Sequence, residues 1–130
     1  MLAGYAAISA AVSARVAPMY EAVRGAAGTD PRGRAVWETV RAERRVGARN
    51  VVRHVEQRAA LRAGLEPETA ADIVFVLNDP GLYHLLVGDR GWKAETFEAW
   101  LAETLRAQLL RPTARRLHGR RAALRMEESR

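Results

Sequence analysis

The sequence predicts an all-α protein, and three observations carry that prediction. Large apolar residues recur at steps of three and four, first at Tyr5, Ile8, Val12, Val16, Met19 and Val23, and again at Phe97, Trp100, Leu101, Leu105 and Leu109. That spacing lines one face of a helix. Alanine, the strongest helix former, fills much of the space between them. Three prolines each follow an acid, at Asp30-Pro31, Glu66-Pro67 and Asp79-Pro80. An acid before a proline marks a helix start: Asp caps well, and proline at the first helical position gives up an N–H that would lack a partner anyway. Glu66 is the weaker cap of the three, although its charge still suits a helix N-terminus.

The first helical segment should end at Gly25-Ala-Ala-Gly28, with a kink at Pro18 or two helices meeting there, because proline cannot donate to the carbonyl of Ala14 and its ring crowds it. The second runs from about 31 to 60 and places Trp37, Val40, Gly47, Val51 and Val55 on one face, with Arg44 among them. Gly64, in the linker from Leu61, is the expected stop. The last segment spans Ala94 to Leu110 and ends before Pro112. No internal repeat is present.

The stretch from Ala71 to Val87, ADIVFVLNDPGLYHLLV, is the ambiguous one. Two apolar blocks flank Asp-Pro-Gly, and the first is rich in β-branched residues. A hairpin here would be an isolated ribbon, marginal on its own, and the chain offers no third strand. Asp79-Pro80-Gly81 suits a helix restart better than a tight hairpin loop. Leu82, Leu85 and Leu86 step helically. Both blocks are therefore expected to be helical, with a break at Pro80. A helix apolar nearly all round needs cover on more than one side, and the second cover would come from a partner chain or a ligand cavity.

Length and composition bound the rest. One hundred and thirty residues with 48% hydrophobic content make one domain, here 1–110, followed by an Arg-rich tail, 111–130. The net charge is +6, but seven arginines and two glutamates of the tail supply +5 of it. The body is nearly neutral, which weakens a nucleic-acid reading. No cysteine is present, which excludes a disulfide framework and thiolate metal sites and suits a reducing compartment. No run of about 18 apolar residues occurs, so no membrane span is expected. The N-terminus lacks a basic leader, so the expected location is cytoplasmic.

Catalytic signals are poor. Gly-rich phosphate loops, GxSxG and HExxH are all missing, and His54, His84 and His118 lie far apart. No catalytic residue, metal site or cofactor is expected; the weak enzymatic alternative is His84 acting with Asp79 or Asp89. Arg44 has two readings, a snorkelling or glutamate-paired side chain, or a counter-ion for an acidic ligand in a helical cavity. Met19, Tyr20, Trp37, Phe75 and Tyr83 are either plain core or a pocket lining. Asn78, before the break, is either a turn-stabilising group or a polar pocket contact.

The stretch from Leu61 to Leu110 resembles the end of bacterial regulators of the tetracycline-repressor (TetR) family. The resemblance lies in Ala70 to Leu77 (AADIVFVL), in Asp79 to Val87 (DPGLYHLLV), in Arg90-Gly-Trp92, and in Phe97 to Leu105 (FEAWLAETL). Upstream, ARVAPMYEAVRGAAGTDP and Trp37 to Arg45 look like central helices of the same family. The resemblance implies an antiparallel helical bundle that binds a small effector and forms a homodimer, while a helix-turn-helix head contacts DNA. That head has no counterpart in these residues, so DNA contact is expected only through a missing part. Similar sequences often carry Ser-Pro where this chain has Lys93-Ala94, which weakens the start of the last helix. Within such a domain, the residues expected to form the ligand site are Met19, Tyr20, Trp37, Arg44, Phe75, Asn78 and Tyr83, for an apolar or weakly acidic effector. The implied dimer seam is Leu82, Leu85, Leu86, Phe97, Trp100, Leu101 and Leu105. The alternative is a stand-alone helical binding protein that does not touch DNA.

Overall fold

A computed structural model describes residues 1–111; the tail from 112 onward, and every expectation placed on it, lies outside the described residues. Within them the chain is all-α: α1 (Leu2–Ala27), α2 (Pro31–Arg58), α3 (Pro67–Leu77), α4 (Pro80–Tyr83) with a π-helical turn at His84–Asp89, and α5 (Ala94–Leu109). The only bridge among the described residues is an isolated antiparallel one between Leu61 and Leu110.

The helix starts are where the acid–proline pairs place them. Asp30 accepts from the backbone N–H of Arg32 at 3.0 Å, and Asp79 from that of Gly81 at 2.8 Å. Glu66 and Lys93 occupy N-cap positions without a side-chain hydrogen bond. Pro18 does not divide the first segment, for α1 is one helix that runs through it. Both Pro18 and Ala14 are exposed, so water can serve the carbonyl that the proline leaves unpaired. α2 stops at Arg58, six residues before Gly64. Gly64 instead takes φ +80 in the following loop, a backbone shape that side-chain-bearing residues resist. That loop is fastened to the end of α5: the N–H of Arg62 donates to the Leu109 carbonyl at 2.8 Å, and its Nε to that of Gln108 at 3.0 Å. Two carbonyls from the last turn of α5, without helical partners of their own, are thereby satisfied.

The span around Pro80 is helical on both sides, and its two halves meet at 40°. Asn78 closes α3, and Asp79 adopts the extended backbone that a following proline favours. Past α4 the helix widens into the π turn, which Arg90 N–H closes onto Leu85 and Trp92 N–H onto Leu86, both at 2.9 Å.

The core joins the first half of α1, the second half of α2, α3 and α5. Phe97, Leu101, Leu105, Leu109, Val55 and Val74 are its largest enclosed side chains. Against them α1 sets small residues, Ala6 and Ala10, so that its backbone can approach closely. Burial of Phe97, Leu101 and Leu105 inside the chain's own core corrects their assignment to a dimer seam. They are 2%, 1% and 0% exposed and have no surface to offer a second copy.

By length and composition, α1 is apolar enough to cross a membrane, contrary to the reading of its sequence; core helices and signal sequences share that property. In this fold α1 packs along α2, α4 and α5.

Candidate functional site

Apart from Tyr5, which also packs against the core, the six-residue apolar stripe of α1 faces away from it. Tyr5, Ile8, Val12, Val16, Met19 and Val23 line one wall of a cavity of about 450 Å³, with Ser9, Ser13 and Tyr20 beside them. Val40 and Arg44 of α2, and Asn78 and Pro80 from the α3–α4 break, complete it. The volume falls within the range of small-molecule sites, about 300–1,000 Å³. The cavity opens to solvent along α1, where Ile8 is 65% and Met19 71% exposed. Apart from its floor it is almost wholly apolar.

The floor is a hydrogen-bonded network centred on Arg44. Its Nε and Nη2 donate to Asn78 Oδ1 at 3.2 and 3.0 Å. Nη1 donates to the Tyr20 hydroxyl at 3.1 Å, and Nη2 also reaches the carbonyl of Phe75. The guanidinium lies 4.3 Å from the Phe75 ring centroid, with Arg45 at 4.8 Å from the same ring. Asn78 Nδ2 donates to the Tyr5 hydroxyl at 3.3 Å. Asn78 is placed to do this because it ends α3: the break frees its side chain to reach across to α2 and α1 at once. The carboxylate of Asp79 lies close enough to the Tyr20 hydroxyl to act on its titration.

Burial sets the titration of both phenols. It raises Tyr20 to about 12, with Arg44 acting to lower it and Asp79 adding to the rise. Burial likewise raises Tyr5, offset in part by its bond from Asn78 and by Arg44. Both hydroxyls therefore keep their protons at neutral pH.

Arg44 is the only arginine among the described residues that is not exposed. It also has no carboxylate in ion-pair range among them, whereas Arg24, Arg45, Arg49 and Arg106 pair with Glu21, Asp72, Glu68 and Glu103. The glutamate-paired reading of Arg44 is thus set aside. Neutral acceptors hold it in place.

Comparison with family models, with curated proteins and with solved structures finds no match for this chain. What the site can do rests on its own geometry.

Of the seven residues read from the sequence as ligand-binding, the structure brings four to the cavity: Met19, Tyr20, Arg44 and Asn78. The other three stand behind it, which corrects their placement. Trp37 packs on the Tyr20 ring at 5.0 Å, and Phe75 carries the two arginines. Tyr83 meets Phe97 edge-on at 5.2 Å within the core region. Sequence reasoning missed Tyr5, Ser9, Ser13 and most of the α1 stripe as lining. The stripe was visible; its direction was not. Leu82, Leu86 and Trp100 are half-buried against the core, and Leu85 is exposed. His84 Nε2 lies 3.9 Å from Asp89 Oδ1, and neither residue lines the Arg44 cavity.

Proposed function

We propose that this chain is the ligand-binding and homodimerising part of a TetR-like transcriptional regulator, acting in the cytoplasm, with DNA contacted by a head outside these residues. One observation carries the ligand-binding half: an apolar cavity whose only charged group among the described residues is a half-buried arginine held by neutral partners. The resemblance in the α3-to-α5 blocks carries the regulatory half. A ligand seated between α1 and the Arg44–Asn78 pair would bear on the α3–α4 break. It would favour one setting of that joint over another, and the equilibrium would move by its difference in affinity for the two. Val76 and Leu85 remain exposed on the span around that break and are the apolar residues there that a second copy would cover. This reading assigns no catalytic role and no cofactor.

The test combines two measurements on the intact chain. Light scattering behind size-exclusion chromatography should give a dimer at micromolar concentration. Tryptophan fluorescence should respond to apolar ligands, because Trp37 rests on the cavity residue Tyr20. A strictly monomeric chain would remove the dimer half. A panel of apolar compounds that leaves both the fluorescence and the melting temperature unmoved would remove the ligand half.

A further inference from the structure

We propose that the cavity floor is a recognition site for a single carboxylate, and that the ligand is an apolar monocarboxylic acid. This rests on the ligand-cavity reading above and names the chemical class that the cavity takes.

The argument is a count of donors. A guanidinium carries five N–H groups and accepts nothing. Four of those of Arg44 are committed: one from Nε and one from Nη2 to Asn78, one from Nη2 to the Phe75 carbonyl, and one from Nη1 to Tyr20. One N–H remains, on Nη1. Tyr5 receives a hydrogen bond from Asn78, and its own proton has no acceptor among the described residues. Arg44 and Tyr5 both line the cavity. The floor therefore holds two open donors, one of them charged.

The charge selects an anion over a neutral acceptor. A cation partly withdrawn from water and stacked on Phe75 keeps its hydrogen bonds but has no ion-paired carboxylate among the described residues. Neither Asp79 nor Glu21, the acids beside the α3–α4 break, forms an ion pair with Arg44. Asp79 caps α4 through Gly81. Glu21 pairs with Arg24 at 3.2 Å. An incoming carboxylate would make charge-assisted bonds, which are roughly twice as strong as neutral ones. Among the described residues the walls contain no second cation, so the rest of the ligand is apolar.

The test uses two matched pairs, linear and bulky: decanoate with 1-decanol, and naphthalene-acetate with naphthalene-ethanol. Affinities are measured near neutral pH by tryptophan fluorescence and calorimetry on the full chain, its Tyr5→Phe variant and its Arg44→Gln variant. In at least one pair the acid should bind about tenfold or more tightly than its alcohol, a difference of about 1.4 kcal/mol. Tyr5→Phe should narrow that ratio and Arg44→Gln should erase it. Arg44→Gln also empties bonds that hold α2 to α3; if it does not fold, Tyr5→Phe, which keeps the ring, decides. Alcohols that bind as well as the acids, or a ratio that the folded variants leave unchanged, would overturn the carboxylate site and leave the cavity standing. Failure of all four compounds to bind would overturn both.

Discussion

Asn78 and Arg44 are joined by two hydrogen bonds to a single atom, with Nε and Nη2 of the arginine converging on Oδ1 at 3.2 and 3.0 Å. The pair connects the end of α3 to the middle of α2, and through Asn78 Nδ2 it also reaches Tyr5 on α1. Replacing Asn78 with leucine keeps the bulk and removes the acceptor. The half-buried guanidinium then loses its main partner, at a cost of about 1–3 kcal/mol. Replacing Asn78 with aspartate does the opposite, giving Arg44 an internal anion. Thermal denaturation should show Asn78→Leu melting below the parent and Asn78→Asp close to it or above. In the ligand assay Asn78→Asp should lose its preference for acids over alcohols, because the counter-charge is already present.

Tyr20 gives a pH signature. Its phenol is held up to about 12 chiefly by burial, against an ordinary value of 10.0. Below about pH 10 the group is neutral whether the chain is folded or not, and it contributes no pH dependence. Between 10 and about 12 the unfolded chain releases the proton while the folded chain retains it, so stability falls as pH rises through that window. Denaturant melts at rising alkaline pH should show that decline, and Tyr20→Phe should flatten part of it. Tyr5, also raised by burial, should account for a further part.

The two faces of α1 should respond in opposite ways. Ala6 is fully enclosed, while Ile8 stands largely in solvent. Ala6→Leu forces extra methylenes into a packed interior and should cost about 1–3 kcal/mol. Ile8→Ala removes a larger side chain but should change stability by no more than about 0.5 kcal/mol. In the ligand assay the order reverses: Ile8→Ala should weaken apolar ligands by lowering wall contact. Chemical denaturation and fluorescence titration of the two variants check both halves.

That contrast shows how far the sequence could be read. Helix periods, the Asp caps and the break at Pro80 were legible because they depend on neighbours along the chain: Asp30 and Asp79 cap where their prolines require it, whereas Pro18 does not divide α1. The direction of a helix face depends on what packs against it. On α1 the larger side chains line the cavity and the alanines meet the core, which periodicity cannot distinguish. On α5 the stripe of Phe97, Leu101 and Leu105 was correctly apolar, but it is consumed within the chain. Arg44 was legible as a cavity residue because a charged group on an apolar face needs partners, and Asn78 because it directly precedes the break. Tyr5 was not, because its hydroxyl acquires meaning only when the fold brings Asn78 to it across 73 positions.

Gly33 tests the join between the first two helices. An alanine there, inside the first turn of α2, would ordinarily favour the helix by about 1 kcal/mol. Here an added Cβ would sit 2.8 Å from the backbone carbon and oxygen of Ala26 at the end of α1. Neither is the movable end of a side chain, so the helix ends must separate. Gly33→Ala should therefore lower the melting temperature, whereas Gly47→Ala, whose Cβ position meets nothing within 4 Å, should hold or raise it.

Leu85 and Phe97 separate association from folding. Both were read as seam residues, but Leu85 is exposed in the π turn and Phe97 is enclosed against Tyr83 and Trp100. Phe97→Ala leaves a void in the core and should cost about 3–5 kcal/mol, seen as a large drop in melting temperature at any protein concentration. Leu85→Glu disturbs no enclosed contact, so the fold should survive it. If copies pair through this span, the added charge would be buried without a partner in the dimer, and light scattering should show the variant shifted toward monomer. A Leu85→Glu variant as dimeric as its parent would move the seam away from the π turn and leave the fold and the Arg44 cavity untouched.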